Sequence, residues 1–206
     1  MVSLLVYAFP AIVAVTAIVL GRERASWRTA VSLVLASTGL VLVLGAAAGG
    51  LDPVGTGLGL GAAVVYSAYI LTSEGLASRI GPLALSTLVC TGAAATLTLG
   101  SLAGGDLDPG GVSAAGYGWL VGIALVSTAG AVGLFFAGLR RVGPTAASIL
   151  SSLEPVVTVA LALVVFGESL GPAQVAGGAL VLAAVLAVRA PAGLAARVPR
   201  RVLSRT

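Results

Sequence analysis

Pro144-Thr-Ala-Ala-Ser-Ile-Leu-Ser-Ser-Leu-Glu-Pro-Val-Val-Thr-Val-Ala-Leu-Ala-Leu-Val-Val-Phe166 is the stretch that decides the fold class. It runs for 23 residues with one charged side chain, Glu154, near its middle. About 20 consecutive apolar residues wound as an α-helix cross the hydrocarbon core of a bilayer. Pro144 opens the run at the position where proline is best tolerated, and Gly167 follows where helices commonly stop. A membrane β-strand would alternate apolar and polar residues over about 10 positions, and this stretch does not. The run reads as one membrane-crossing helix.

The same reading extends outward. Six more apolar runs cover Ser3–Leu20, Thr29–Ala48, Val54–Thr72, Pro82–Ala103, Ala114–Gly138 and Pro172–Arg189. The expected connections are Gly21–Arg28, Gly49–Pro53, Ser73–Gly81, Gly104–Ser113, Leu139–Gly143 and Gly167–Gly171, where Gly and Pro gather. Composition agrees. The 206 residues are 58% hydrophobic and 9% charged, with a mean hydropathy of +1.12. Soluble domains carry roughly 25% charged residues, and this chain has too few polar groups to coat such a surface. Lipid removes that need but demands internal pairing of every backbone N–H and C=O, which helices satisfy. The expected fold is an all-α integral membrane protein of about seven transmembrane helices. No basic residue precedes Val2–Leu20, so that run lacks the positive segment of a secretory signal and reads as a mature helix.

Charge orients the bundle. All eleven basic residues are arginine. With seven helices, Arg22, Arg24, Arg28, Arg79, Arg140, Arg141, Arg189, Arg197, Arg200, Arg201 and Arg205 fall on one side of the membrane. Asp52, Asp106, Asp108 and Glu168 fall on the other. The positive-inside rule makes the arginine side cytoplasmic, with the C-terminus inside and the N-terminus outside a plasma membrane. The basic tail, Ala190–Thr206, either lies on anionic lipid or is solvated.

Several functional classes are disfavoured. The chain has no histidine and a single cysteine, Cys90, so no metal site or cofactor is expected. No Ser–His or Ser–Lys pair is available for nucleophilic catalysis, and lysine for a Schiff base is absent. An enzyme is not expected, nor is a nucleic-acid partner. No nucleotide-binding loop is present, so any transport would draw on an ion gradient or the substrate's own gradient.

An internal repeat is visible. Tyr7–Gly45 aligns without a gap on Ser152–Ala190, at an offset of 145 residues. Pro10 meets Pro155, and Glu23 meets Glu168. That offset corresponds to five helices, an odd number, so the two copies point in opposite directions. Inverted repeats of this kind mark many secondary transporters.

The stretch from Arg141-Val-Gly-Pro-Thr-Ala-Ala through Leu153-Glu-Pro-Val156 to Phe166-Gly-Glu168 resembles the end of an EamA-like domain of the drug/metabolite transporter superfamily. Tyr7-Ala-Phe-Pro10 through Gly21-Arg-Glu-Arg-Ala-Ser-Trp27 resembles the matching end of that family's first repeat. The resemblance covers essentially Val2–Arg189. It implies a secondary transporter, an exporter of small metabolites or drugs, working by alternating access between inverted repeats. It also implies ten helices in two five-helix repeats. On that pattern, residues 1–48 are the last two helices of a first repeat, 54–189 a complete second repeat, and 190–206 a cytoplasmic tail. The chain would be a mis-started or truncated product, or a genuine seven-helix relative. The competing function is a non-transporting membrane protein or interaction subunit.

Glu154 is the outstanding site residue. An acidic group at mid-bilayer costs about 2.5–3.5 kcal/mol to insert, so such groups normally face the bundle interior or a wet cavity. Ser151 and Thr158 share its face at helical spacing. Pro155 frees a carbonyl one turn earlier and can kink the helix, and Pro10 does the same in the first repeat. A carboxyl beside a freed carbonyl can bind a cation or carry a proton. These residues are expected to line the path of a small-molecule substrate with proton or cation coupling, the alternative being that Glu154 only fixes packing. Tyr66 and Tyr69 share a helix face with Ser73, and Tyr7 occupies the position that the resemblance places against the cavity. Ser148 and Ser152 are expected to hydrogen-bond across helices. Glu23 and Glu168 read as caps on the helix that follows each, or as gates. Gly55, Gly57, Gly59 and Gly61, and Ala179, Ala183 and Ala187, suit close helix packing or a homodimer face. Trp27, Tyr117 and Trp119 read as interface anchors.

Overall fold

Each of the seven apolar runs supplies a helix. The computed structural model describes residues 5–44, 53–105, 109–167 and 169–189, and among these there is no strand. The helices are α1 (Phe9–Val19), α2 (Trp27–Leu44), α3 (Pro53–Ile80), α4 (Pro82–Gly104), α5 (Ala114–Val142), α6 (Pro144–Phe166) and α7 (Pro172–Arg189). α2 through α6 are long and apolar enough to cross a membrane, and α1 and α7 are shorter apolar helices. A 3-10 turn, Pro109–Gly111, precedes α5. The expected all-helical membrane fold holds. Asp52, Asp106, Asp108, Glu168 and the tail Ala190–Thr206 lie outside the described residues.

Two expected loops are helical instead. α3 continues past Thr72 to Ile80, and α5 continues past Gly138 to Val142. Only Gly81 and Gly143 separate these helices from α4 and α6. The polar residues in these stretches form last helical turns rather than loops, and Ser78 Oγ donates to the Glu74 carbonyl (3.1 Å). Each glycine turns the chain alone. Gly81 has φ 85 and ψ 155, and Gly143 has φ 82 and ψ 168. Such a backbone is essentially restricted to glycine, and the proline that follows each is set for a new helix. A Gly-Pro step therefore replaces a polar loop.

α2 and α7 form the closest seam. A Cβ built on Gly39 would lie 2.6 Å from the Gly177 carbonyl oxygen, and one on Gly177 would lie 2.6 Å from the Gly39 carbonyl oxygen. Val181 also faces Gly39, Val43 faces Gly177, and Ala36 clusters with Ala184. The pairing falls along α7 as it rises along α2, so the helices run antiparallel. Small residues permit this approach. Applying the 145-residue offset turns Gly39 into Ala184 and Gly177 into Ser32, and both of those positions are 0% exposed. The stripe expected on α7 is not the one in contact. Ala179 is exposed, while Gly177, Val181 and Ala184 are buried, because the seam turns on the glycines. On α3, Gly59 is buried, but Gly57 and Gly61 have nothing within 4 Å of a built Cβ.

A second core joins α1, α3, the first turn of α4, the last turns of α5 and the start of α6. It contains Phe9, Val13, Ile70, Leu85, Phe136, Leu139 and Ala147, all buried. It occupies the arginine end of the bundle. Toward the opposite end, every residue of α4 from Thr91 to Gly100 is exposed, as is every residue of α5 from Tyr117 to Ala131. Ile123–Gly130 of α5 is wound as a π-helix.

Candidate functional site

Two prolines interrupt two helices, three residues after each break. Pro10 has no N–H for the Val6 carbonyl, so the chain turns at Tyr7 and Ala8 before α1 begins, and Ala8 N instead donates to Leu5 O (3.0 Å). Pro155 has no N–H for the Ser151 carbonyl. α6 breaks into Pro144–Ser151 and Leu153–Phe166, and Ser152 N donates to Ile149 O (3.1 Å). The repeat offset superimposes the first break, Tyr7, on the second, Ser152.

The breaks border one cavity. It measures about 350 Å³ and is lined by Val6, Tyr7, Phe9, Tyr66, Ser151 and Glu154. The Glu154 side chain is exposed to it and shares the lining with Tyr7. Ser151 Oγ donates to its own helix, at Ala147 O (3.1 Å). The rings form a continuous chain. Tyr7 lies 6.2 Å from Phe9, and Phe9 meets Tyr66 edge-to-face at 4.8 Å. Tyr66 stacks on Tyr69 at 5.8 Å, and Tyr69 lies 6.0 Å from Phe136, which adjoins Phe135. Ser67 Oγ donates to the carbonyls of Ala63 (2.7 Å) and Phe9 (3.3 Å), which fixes α1 on α3 behind these rings.

Four expected path residues, Tyr7, Tyr66, Ser151 and Glu154, therefore meet in one cavity. Two others do not reach it. Tyr69 sits behind Tyr66 in the ring chain. Thr158 is exposed and donates to the Glu154 carbonyl (2.9 Å). On the other side of α6, Val156, Val159 and Ala160 line a groove with α2 and α7. Val6 and Phe9 were missed, as were the supporting Phe135 and Phe136. No local pattern distinguishes a phenylalanine in a cavity wall from one facing lipid. Ser148 bonds within its helix, to Thr145 O (2.8 Å), and Ser152 Oγ is buried without a partner among the described residues, so neither bridges helices.

At the arginine end, the α1–α2 connection is bonded to both α3 and α6. Arg22 Nη1 donates to the Leu71 carbonyl (2.8 Å) and lies 3.6 Å from Glu74 Oε2. Glu23 Oε1 accepts from Thr145 N (3.3 Å). Glu23 thus caps α6, not the following helix α2 as its position suggested. The cause is chemical: the first N–H groups of a helix lack intrahelical partners and carry the positive end of its dipole. A Cβ on Gly143 would lie 3.2 Å from that same Glu23 oxygen. Trp27, Tyr117 and Trp119 are exposed near helix starts.

Comparison with known proteins adds two findings. The model of the EamA-like transporter family matches residues 54–190. A protein of Bacillus subtilis (strain 168), named uncharacterized transporter YcbK, is 31% identical over 117 residues. That match covers 55% of this chain and 38% of the relative, so the chain spans well under half of that protein's length.

Proposed function

The chain belongs to the EamA-like transporter family, and on that premise we propose that it is a secondary transporter moving a small molecule past Glu154 by alternating access. One observation carries this reading: two helix breaks, at Tyr7 and Ser152, border a single cavity into which a carboxylate projects. Broken helices at membrane depth are tolerated where they are buried in protein or line a cavity, and transporters place substrate and ion sites there. The ties from Arg22 and Glu23 close the arginine end, which the positive-inside rule assigns to the cytoplasm. The conformation is then closed inward, and the cavity would reach the cytoplasm when those ties part. Export is the direction this reading favours, with a proton or cation gradient as driving force.

The test uses sealed vesicles containing the full chain, loaded with a metabolite extract and followed by mass spectrometry. At least one small molecule should leave faster from wild-type vesicles than from Glu154→Gln vesicles, and an imposed pH gradient should change that rate. Identical release of every detected compound from wild-type, Glu154→Gln and empty vesicles would sink the reading.

A further inference from the structure

We propose that the cavity at Glu154 selects organic cations with an aromatic or bulky apolar body over anions and zwitterions; this rests on the reading of that cavity as the substrate path. The first argument is charge. Among the described residues that line the cavity, Glu154 is the only charged one. The arginines of the described residues sit at helix ends or in the α1–α2 connection, and none lines it. A ligand carboxylate would enter beside Glu154 with no cation to meet it, and an unpaired charge at membrane depth is costly.

The second argument is the hydrogen-bond inventory. The lining residues carry three hydroxyls, on Tyr7, Tyr66 and Ser151. Ser151 donates to the Ala147 carbonyl. Each hydroxyl has one hydrogen to give. Among the described side chains, an incoming carboxylate would therefore find only the two tyrosine hydroxyls, on Tyr7 and Tyr66, and no cation. A quaternary or protonated amine needs none.

The third argument is the wall itself. Tyr7, Phe9 and Tyr66 all line the cavity, and the face of an aromatic ring attracts a cation within about 6 Å of its centroid. These rings are held before any ligand arrives. Phe9 is edge-on to Tyr66 at 4.8 Å, Tyr66 is backed by Tyr69 at 5.8 Å, and Ser67 pins the Phe9 carbonyl. A wall already in place lowers the ordering cost of binding. The volume of about 350 Å³ suits a ligand of one ring and a substituted ammonium group.

The test is equilibrium binding to the full chain in phosphatidylcholine nanodiscs. The probes are benzyltrimethylammonium, 3-phenylpropionate and phenylalanine, which share a ring and differ in charge. Benzyltrimethylammonium should bind at least about tenfold more tightly than either competitor, the effect expected for one good cation–π or charge contact. Glu154→Gln should abolish that preference, and Tyr66→Leu should weaken cation binding about fivefold or more. Folding of each variant is checked by its melting temperature, and either variant alone suffices. Tighter, Glu154-dependent binding of 3-phenylpropionate or phenylalanine would overturn the cation class and leave the substrate path standing. Binding of all three probes indifferent to both substitutions would overturn the path reading with it.

Discussion

Between α2 and α7 two backbones meet at Gly39 and Gly177, while Gly92 and Gly100 of α4 have nothing within 4 Å. The sequences look alike. Both regions are apolar runs dotted with small residues, and both are long enough to span a membrane or nearly so. Yet 28% of the spanning window of α2 is buried, against 11% for α4 and 6% for α5. The difference teaches what drives contact in lipid. Tails are as apolar as leucine, so burying an apolar side chain against another helix gains little. Close approach needs small residues on both partners at matching heights, as Gly39 and Gly177 have. α4 offers Gly92, Ala93, Ala94, Ala95 and Gly100 to no matching helix among the described residues. Its hydroxyls add no glue either, since Thr87 and Thr96 donate to carbonyls of their own helix.

The comparison can be broken from either side. The largest effect is expected at the seam. Gly177→Leu places a side chain where the Gly39 carbonyl already sits, and should destabilise the fold by about 3 kcal/mol or more, the upper range of overpacking. A denaturation midpoint in mixed micelles reads this directly, and an unchanged midpoint would show that the helices stand apart. Next comes the tied end. Gly143→Ala forces a side chain into a φ of 82 and toward Glu23 Oε1. About 2 kcal/mol of destabilisation should appear in the same assay, against a fraction of that for Gly138→Ala, which has open space.

A smaller effect, roughly 1 kcal/mol, is expected for Glu23→Gln, which keeps an acceptor for Thr145 N but loses the charge at the helix dipole. In a Cys90→Ala background, a cysteine at Thr145 should then react faster with an impermeant maleimide applied to the arginine end. An unchanged rate would mean that the tie does not hold this end closed. The smallest effect belongs to Gly92→Leu on the bare stretch of α4, within about 0.5 kcal/mol of wild type. A loss comparable to that of Gly177→Leu would mean the stretch is not bare.

What the sequence disclosed follows from which signals are local. Pro144 and Gly167 bound α6 as they bound the apolar run, because helix starts and stops are written in backbone chemistry. The breaks at Pro10 and Pro155 were legible for the same reason. Glu154 stood out because a mid-membrane charge is expensive wherever it points. Other features depend on partners far along the chain. Glu23 caps a helix whose donating N–H is 122 residues away, so a local reading assigned it to α2. Thr158 shares the Glu154 face, but spacing within one helix does not report where a cavity shared with other helices ends. The Phe9–Tyr66–Tyr69–Phe136 chain joins three helices and has no signature in any one of them. Ser73–Gly81 looked like a loop because it is polar, yet the end of a membrane helix is polar as well.

The confinement of positive charge to one end has a practical side. The 206 residues contain no lysine, so the cut sites for trypsin are arginines alone, and amine-directed reagents find only the α-amino group. Arg22, Arg24, Arg28, Arg79, Arg140 and Arg141 stand where α1, α3 and α5 end or where α2 begins. In a sealed vesicle, protease on that face meets a row of cleavable bonds, while protease on the other meets none among the described residues. The bundle thus carries its own orientation as a digestion pattern, legible on a gel without any tag.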